Sequence, residues 1–202
     1  PLLVSSEMST PSILCRLEGG DRRSIGRSNE VVAEVLASPE LFGALFAGLS
    51  VDDPVVRARA ADAVEKISVI HPEYLRPYRS KLVGDLAHCE QKEVRWHVAQ
   101  MLPRLRWNIR EQNQVYDILA DYLRDSSSIV KTFAMQALAD LTTQAPKLRP
   151  AVLRRISNFT AHGTPAMRAR GRKLIANLLS ASTKGTRPLP VSSSVRGGSM
   201  GG

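Results

Sequence analysis

The sequence predicts an all-α fold, a stacked helical solenoid of about four to five helix pairs, and two observations carry that prediction. The first is a helical phrase that recurs four times: an apolar residue, a basic one, then small or aliphatic residues at helical spacing. It reads Val56-Arg57 with Ala60, Val64 and Ile67, Val94-Arg95 with Val98, Leu102 and Leu105, Val130-Lys131 with Ala134, Leu138 and Leu141, and Met167-Arg168 with Gly171, Ile175 and Leu178. Positions 57, 95, 131 and 168 are 38, 36 and 37 residues apart, a period in which one helix pair per repeat buries its apolar face on its neighbours. The second is composition: of 202 residues 43% are hydrophobic and only 5% aromatic, and small aliphatic side chains suit close helix-on-helix packing.

The elements follow in order. Residues 1–27 read as a poorly ordered leader and an irregular N-terminal turn, in which Ile13 to Leu17 forms a short apolar helical patch broken by Gly19-Gly20-Asp21. Residues 28–182 read as the solenoid. A helix starts near Ser28 and carries Val31, Val32, Val35 and Leu36. Ser38-Pro39 predicts a cap followed by proline at the first helical position, where a missing amide hydrogen costs nothing, opening a helix through Leu41, Phe42, Leu45 and Leu49. Asp53-Pro54 and Thr164-Pro165 repeat that chemistry. The remaining first helices of each pair run through Leu82, Val83 and Leu86, through Val115, Ile118, Leu119, Tyr122 and Leu123, and through Leu153, Ile156 and Phe159. Leu75-Arg76-Pro77 and Leu148-Arg149-Pro150 each follow a proline, Pro72 and Pro146, and read as turns between repeats. Residues 183–202 lack apolar periodicity and read as a disordered Gly/Ser/Pro tail with the look of an engineered appendage.

Composition narrows the function classes. No apolar run approaches the roughly 20 residues that cross a bilayer, and Cys15 and Cys89 are too far apart in sequence to suggest a structural bridge. A soluble cytoplasmic protein is expected. The net charge of +9 is unevenly placed: residues 1–140 hold 17 Lys/Arg against all 19 Asp/Glu, whereas residues 141–202 hold 11 Lys/Arg and no carboxylate. The last third is therefore a concentrated positive field suited to nucleic acid or acidic protein surfaces.

From about Pro39 to Leu179 the chain resembles, repeat by repeat, the HEAT-repeat family, and the segment GGDRRSIGRSNEVV at 19–32 looks like the leader of uncharacterised bacterial HEAT-like proteins. The resemblance implies a right-handed α-α superhelix whose second helices line a concave face. It also implies a ladder pairing a turn acid with the second-helix base. Asp52 or Asp53, Glu90 and Asp125 precede Arg57, Arg95 and Lys131 by four to six residues, while His162-Gly163-Thr164 offers Arg168 no carboxylate.

Candidate binding residues follow from the charge. Arg168, Arg170, Arg172 and Lys173, with Arg154 and Arg155 on the preceding helix, form a basic set that suits phosphate contact, or else a polar cap keeping an end repeat solvated. Arg57, Arg95, Lys131 and Arg168 would form one column along the groove. Trp96 and Trp107, among Arg95, His97, Arg104 and Arg106, are the one aromatic and basic interleaving, with Trp96 expected to be the exposed one and packing the plainer reading for a tryptophan. That pattern is similar to HEAT-like alkylpurine DNA glycosylases, although Glu111 after Trp107 falls across a helix boundary. Gly19 to Arg27 mixes glycines and arginines as an anion cradle would, or as an irregular turn would. His88, Cys89 and His97 lack metal-ligand spacing, and no nucleophile or carboxylate pair is patterned for catalysis. The expectation is a non-enzymatic interaction scaffold binding an acidic protein surface or nucleic acid, without cofactor or metal, the alternative being a DNA-repair enzyme of the glycosylase kind.

Overall fold

The computed structural model describes residues 13–21 and 24–184; most of the expected leader (1–12) and tail (185–202) lies outside them, as do Arg22 and Arg23. Among the described residues there are nine α-helices, joined by short 3-10 turns, and no strand. They are α1 Ser28–Ala37, α2 Phe42–Ala47, α3 Pro54–Ile70, α4 Arg79–Val83, α5 Lys92–Met101, α6 Ile109–Tyr122, α7 Ser128–Leu141, α8 Arg149–His162 and α9 Pro165–Lys184. The last of these carries helix two residues past the boundary set for the tail.

Local chemistry explains most of the boundaries. Asp53 caps α3, its carboxylate accepting from the amides of Val55 at 2.7 Å and Val56 at 3.3 Å, with Pro54 in the first helical turn. Asn108 and Glu111 form a reciprocal capping box at α6, satisfying two amides that the helix itself cannot. Thr164 Oγ1 accepts from the Met167 amide at the start of α9. Ser38 departs from its expected role: its side chain makes no cap bond, and its own amide donates to Glu34 O. It closes α1, and Pro39 opens a 3-10 turn before α2 rather than the helix itself. The helix expected through Leu86 ends at Val83, although Leu82 and Leu86 are both buried.

The even order of contacts arranges the helices in two rows. One row is α1, α3, α5, α7 and α9, each packed on the next; against it lie α2 on α3, α6 on α7 and α8 on α9. The recurring phrase supplies the core of that row. Its apolar members are buried in the first three copies, and in the fourth Met167, Gly171 and Leu178 are buried and Ile175 half-buried. Gly171 is required where α8 and α9 touch, because a Cβ there would lie 1.8 Å from Thr160 Oγ1.

The sequence period also appears in the polar contacts. The side-chain hydrogen bonds that leave their own local turn join residues 27 to 42 positions apart, about one repeat, whereas the Arg16–Glu34 ion pair at the N-terminal end joins a 3-10 turn to α1 over a shorter span. Gln91 shows how this works: its carbonyl accepts from Arg57 Nε at 2.7 Å while its amide donates to Pro54 O at 2.7 Å, so the turn before α5 is tied to the start of α3. Gln144 does the same one level on, accepting from the Trp107 amide and donating to Pro103 O and Leu105 O.

The N-terminal turn is held by one buried cation. Arg59 is only 4% exposed; its guanidinium donates to the carbonyls of Leu17, Glu18, Gly19, Asp21 and Ser24 at 2.6–3.2 Å. Gly19, Gly20 and Gly26 take positive φ there, and a Cβ on Gly26 would meet the guanidinium at 2.7 Å. The glycine-rich segment thus turns carbonyls inward onto a cation, which is the opposite of the anion cradle its composition suggests. Replacing Arg59 by Met keeps the stem and removes the donors, so it should cost about 3 kcal/mol, the scale of breaking a buried charged hydrogen-bond network. Urea unfolding would read that loss, together with new tryptic cleavage at Arg27.

Candidate functional site

The second-helix bases do not pair with the acids of their own turns. Arg57 donates Nη1 to the carbonyls of Val51 and Asp52 and Nε to Gln91, while the Asp53 carboxylate is occupied as the cap of α3. Arg95 pairs with Asp125 at 2.9 Å, one repeat further on, and lies 4.4 Å over the Tyr122 ring. Glu90, its expected partner, is exposed and forms no ion pair with it. Lys131, half-buried, makes no side-chain hydrogen bond or ion pair among the described residues. The carboxylate pairing that does occur, Arg95 with Asp125, therefore reaches the next turn along the chain, while Arg57 meets its own turn through backbone carbonyls.

The basic set on α8 and α9 divides among several neighbours. Arg155 donates Nε to Tyr116 Oη at 2.8 Å, reaching α6. Arg170 donates Nη1 to Gln136 Oε1 at 2.9 Å, reaching α7 beside Asp140, whose carboxyl burial pushes up from its ordinary value. Arg168 donates to Gly163 O at 3.2 Å in its own turn. Arg154, Arg168, Arg172 and Lys173 are exposed, and Arg168 and Arg172 share a helix face one turn apart. None of the described bases beyond Asp140 forms an ion pair, whereas Arg79, Arg95 and Arg104 all do.

The two tryptophans separate as packing predicts. Trp107 is 5% exposed; its Nε1 donates to Leu102 O at 2.7 Å and Arg79 stacks 4.5 Å above it. Glu111 serves Arg79 and the α6 cap, so the Trp107 and Glu111 pair is structural. Trp96 is half-buried and lines a cleft of about 860 Å3 between the N-terminal turn and α3, α5 and α7. Asp62, Glu93, His97, Ile25 and Ile129 share its walls, and Asp62 accepts from Ser28 Oγ and Lys66 Nζ, both at 2.6 Å.

His97 is a buried titratable group, with Nδ1 unpartnered. Burial, with Lys66 and Arg104 nearby, lowers its pKa to about 4 against the partial opposition of Asp62. His88 is exposed and Cys89 half-buried, and among the described residues no three His, Cys, Asp or Glu come together as a metal site. No described helix is long and apolar enough to cross a membrane.

Sequence reasoning passed over Arg59, Gln91, Gln144 and the pairing of Tyr116 with Arg155. Arg59 carried a signal: it lies three residues after Val56 and four before Ala63, on the buried stripe of α3. The glutamines carried none, since their partners are backbone groups one repeat away. Comparison of the chain with family models, curated proteins and solved structures gave no match.

The histidine sets a pH dependence. An exposed histidine titrates near 6.5 and the folded one near 4, so as pH falls the unfolded chain takes up its proton first. Stability is full above pH 6.5 and is lost through the window down to 4, by up to roughly 3 kcal/mol. Urea midpoints of the wild type and of His97→Gln across that window should diverge, with the slope between 6.5 and 4 flattened in the variant.

Proposed function

We propose that this chain is a HEAT-like right-handed solenoid acting as a non-enzymatic scaffold, and that its C-terminal helix pair binds nucleic acid through phosphates. The observation that carries this reading is the set of bases beyond Asp140, none of them ion-paired among the described residues. The row of α3, α5, α7 and α9 supports the solenoid, and the one-repeat reach of the polar side chains supports its register. Exposed arginines without acids attract phosphate by charge and release its counterions, with no demand on sequence. Arg57 and Arg95 contribute to structure in this reading, because Arg57 is held by Gln91 and Arg95 by Asp125. Arg168, Arg172, Lys173 and Arg154 carry the contact.

Four phosphate contacts predict a slope of about −3 to −4 for log affinity against log salt. Fluorescence anisotropy with a labelled random-sequence duplex should show it, and Arg168→Glu with Arg172→Glu should lower affinity at least about tenfold and flatten the slope by about two. Unchanged affinity in that variant would remove the reading. Binding to polyglutamate in preference to DNA would assign the surface to an acidic protein partner.

A second reading rests on the cleft where half-buried Trp96 and the carboxylate of Asp62 share walls, the pairing that a glycosylase of the alkylpurine kind would use. It predicts release of methylated purine from alkylated duplex by excess protein, abolished by Asp62→Asn. Absence of any release removes it.

A further inference from the structure

A smaller hollow on the opposite row of helices combines the two features that single-stranded nucleic acid recognition needs. It lies between α6 and α8, measures about 260 Å3, and is lined by Tyr116, Arg154, Arg155, Asn158 and Phe159. That volume is below the roughly 300 Å3 at which drug-sized pockets begin, so it accommodates one planar ring and not a folded ligand. Its five residues contain two aromatic rings, two guanidinium groups and an amide, with no carboxylate among them.

The helix register makes this a built arrangement. Arg154 and Asn158 stand one turn apart on α8 and are exposed; Arg155 and Phe159 stand one turn apart on the adjoining, half-buried column. Arg155 is fixed by its Nε hydrogen bond to Tyr116 Oη at 2.8 Å, with its Cζ 5.6 Å from the tyrosine ring centroid. Its planar head is therefore held before any ligand arrives, and a fixed guanidinium plane offers a base a stacking surface as an aromatic ring does. Phe159 packs against the core from one side and lines the hollow from the other. Asn158 carries both a donor and an acceptor for a base edge, and the exposed Arg154 supplies a charge for the phosphate beside it.

We infer that this hollow takes one unpaired base of a single-stranded nucleic acid, stacked against Phe159 and the Arg155–Tyr116 pair, while Arg154 contacts the adjacent phosphate. The inference rests on the phosphate-binding reading above and deepens it: a duplex keeps its bases stacked inside and offers the hollow nothing but phosphate. Single strands are then preferred over duplex at equal charge.

The experiment compares a labelled oligothymidylate, an abasic oligodeoxynucleotide of the same length and a duplex, all by anisotropy at one low salt concentration. The abasic strand keeps the phosphates and lacks the rings. Oligothymidylate should bind roughly tenfold more tightly than the abasic strand, the scale of one stacked base. Phe159→Leu, which retains apolar bulk toward the core, and the exposed Asn158→Ala should each shrink that ratio while leaving abasic binding unchanged, with thermal melting confirming that both variants fold. Equal affinity for oligothymidylate and the abasic strand would overturn the base pocket and leave the phosphate reading standing. Failure of all three nucleic acids to bind would overturn both.

Discussion

The constraint on which this structure depends is that helices and turns about one sequence period apart complete each other's hydrogen bonding. A helix pair exposes, at its turns, carbonyls and amides that no helix satisfies, and stacking removes water from them. The chain answers with long polar side chains that reach across one repeat: Gln91 to the start of α3, Gln144 to the turn after α5, Arg104 to Ser68 and Glu65, and Tyr122 Oη to Ala87 O at 2.7 Å. The polar ties, each about one period long, fix the register.

Arg59 extends the same logic to the N-terminal end of α3. The carbonyls of Leu17, Glu18, Gly19, Asp21 and Ser24 all converge on this single guanidinium, which has five donors to offer them. Carbonyl dipoles surround its charge, which makes the turn geometry demanding. Gly26, at φ +52° and with the guanidinium against the space its Cβ would fill, is the residue that meets that demand. The cleft beside Trp96 exists because this turn is held over the row of second helices, so a change at Arg59 reaches the cleft without touching it.

The helices and their buried faces were legible in the sequence because burial follows the 3.6-residue period, and the four copies of the phrase place their apolar members where that period puts them. Asp53 and Thr164 were legible as caps because capping is local. The ladder was misread for the complementary reason. Asp53 to Arg57 is a short sequence distance, but the acid is spent on two amides, and Arg95 finds Asp125 thirty residues away across the stack. Proximity in sequence predicts partners within a helix and fails between helices. The same limit hid the hollow between α6 and α8: Arg154 and Arg155 were legible as bases, but their partner Tyr116 lies 39 residues from Arg155 and carries no signal in its own helix.

The C-terminal helix pair holds its charge against its own electrostatics. The first turn of α9 contains no acid to complement the positive end of the helix dipole, and Arg168, Arg170, Arg172 and Lys173 are concentrated in its first half. The first turn of α8 likewise contains no acid, and Arg149 and Arg154 lie near it. A cation near a helix N-terminus is unfavourable by about 0.3–1 kcal/mol, and like charges one turn apart add a few tenths of a kcal/mol more. Several bases earlier in the chain are relieved by acids, as Arg79 is by Glu111 and Arg95 by Asp125. The fold tolerates the unrelieved set because its core is apolar and Gly171 allows close packing beneath it. Under the phosphate-binding proposal, a bound polyanion would return the free energy that this repulsion withholds, linking binding at this surface to the stability of the last helix pair. Mixed charges would cost this helix end less, and under the phosphate-binding proposal an all-positive set is the one suited to the ligand.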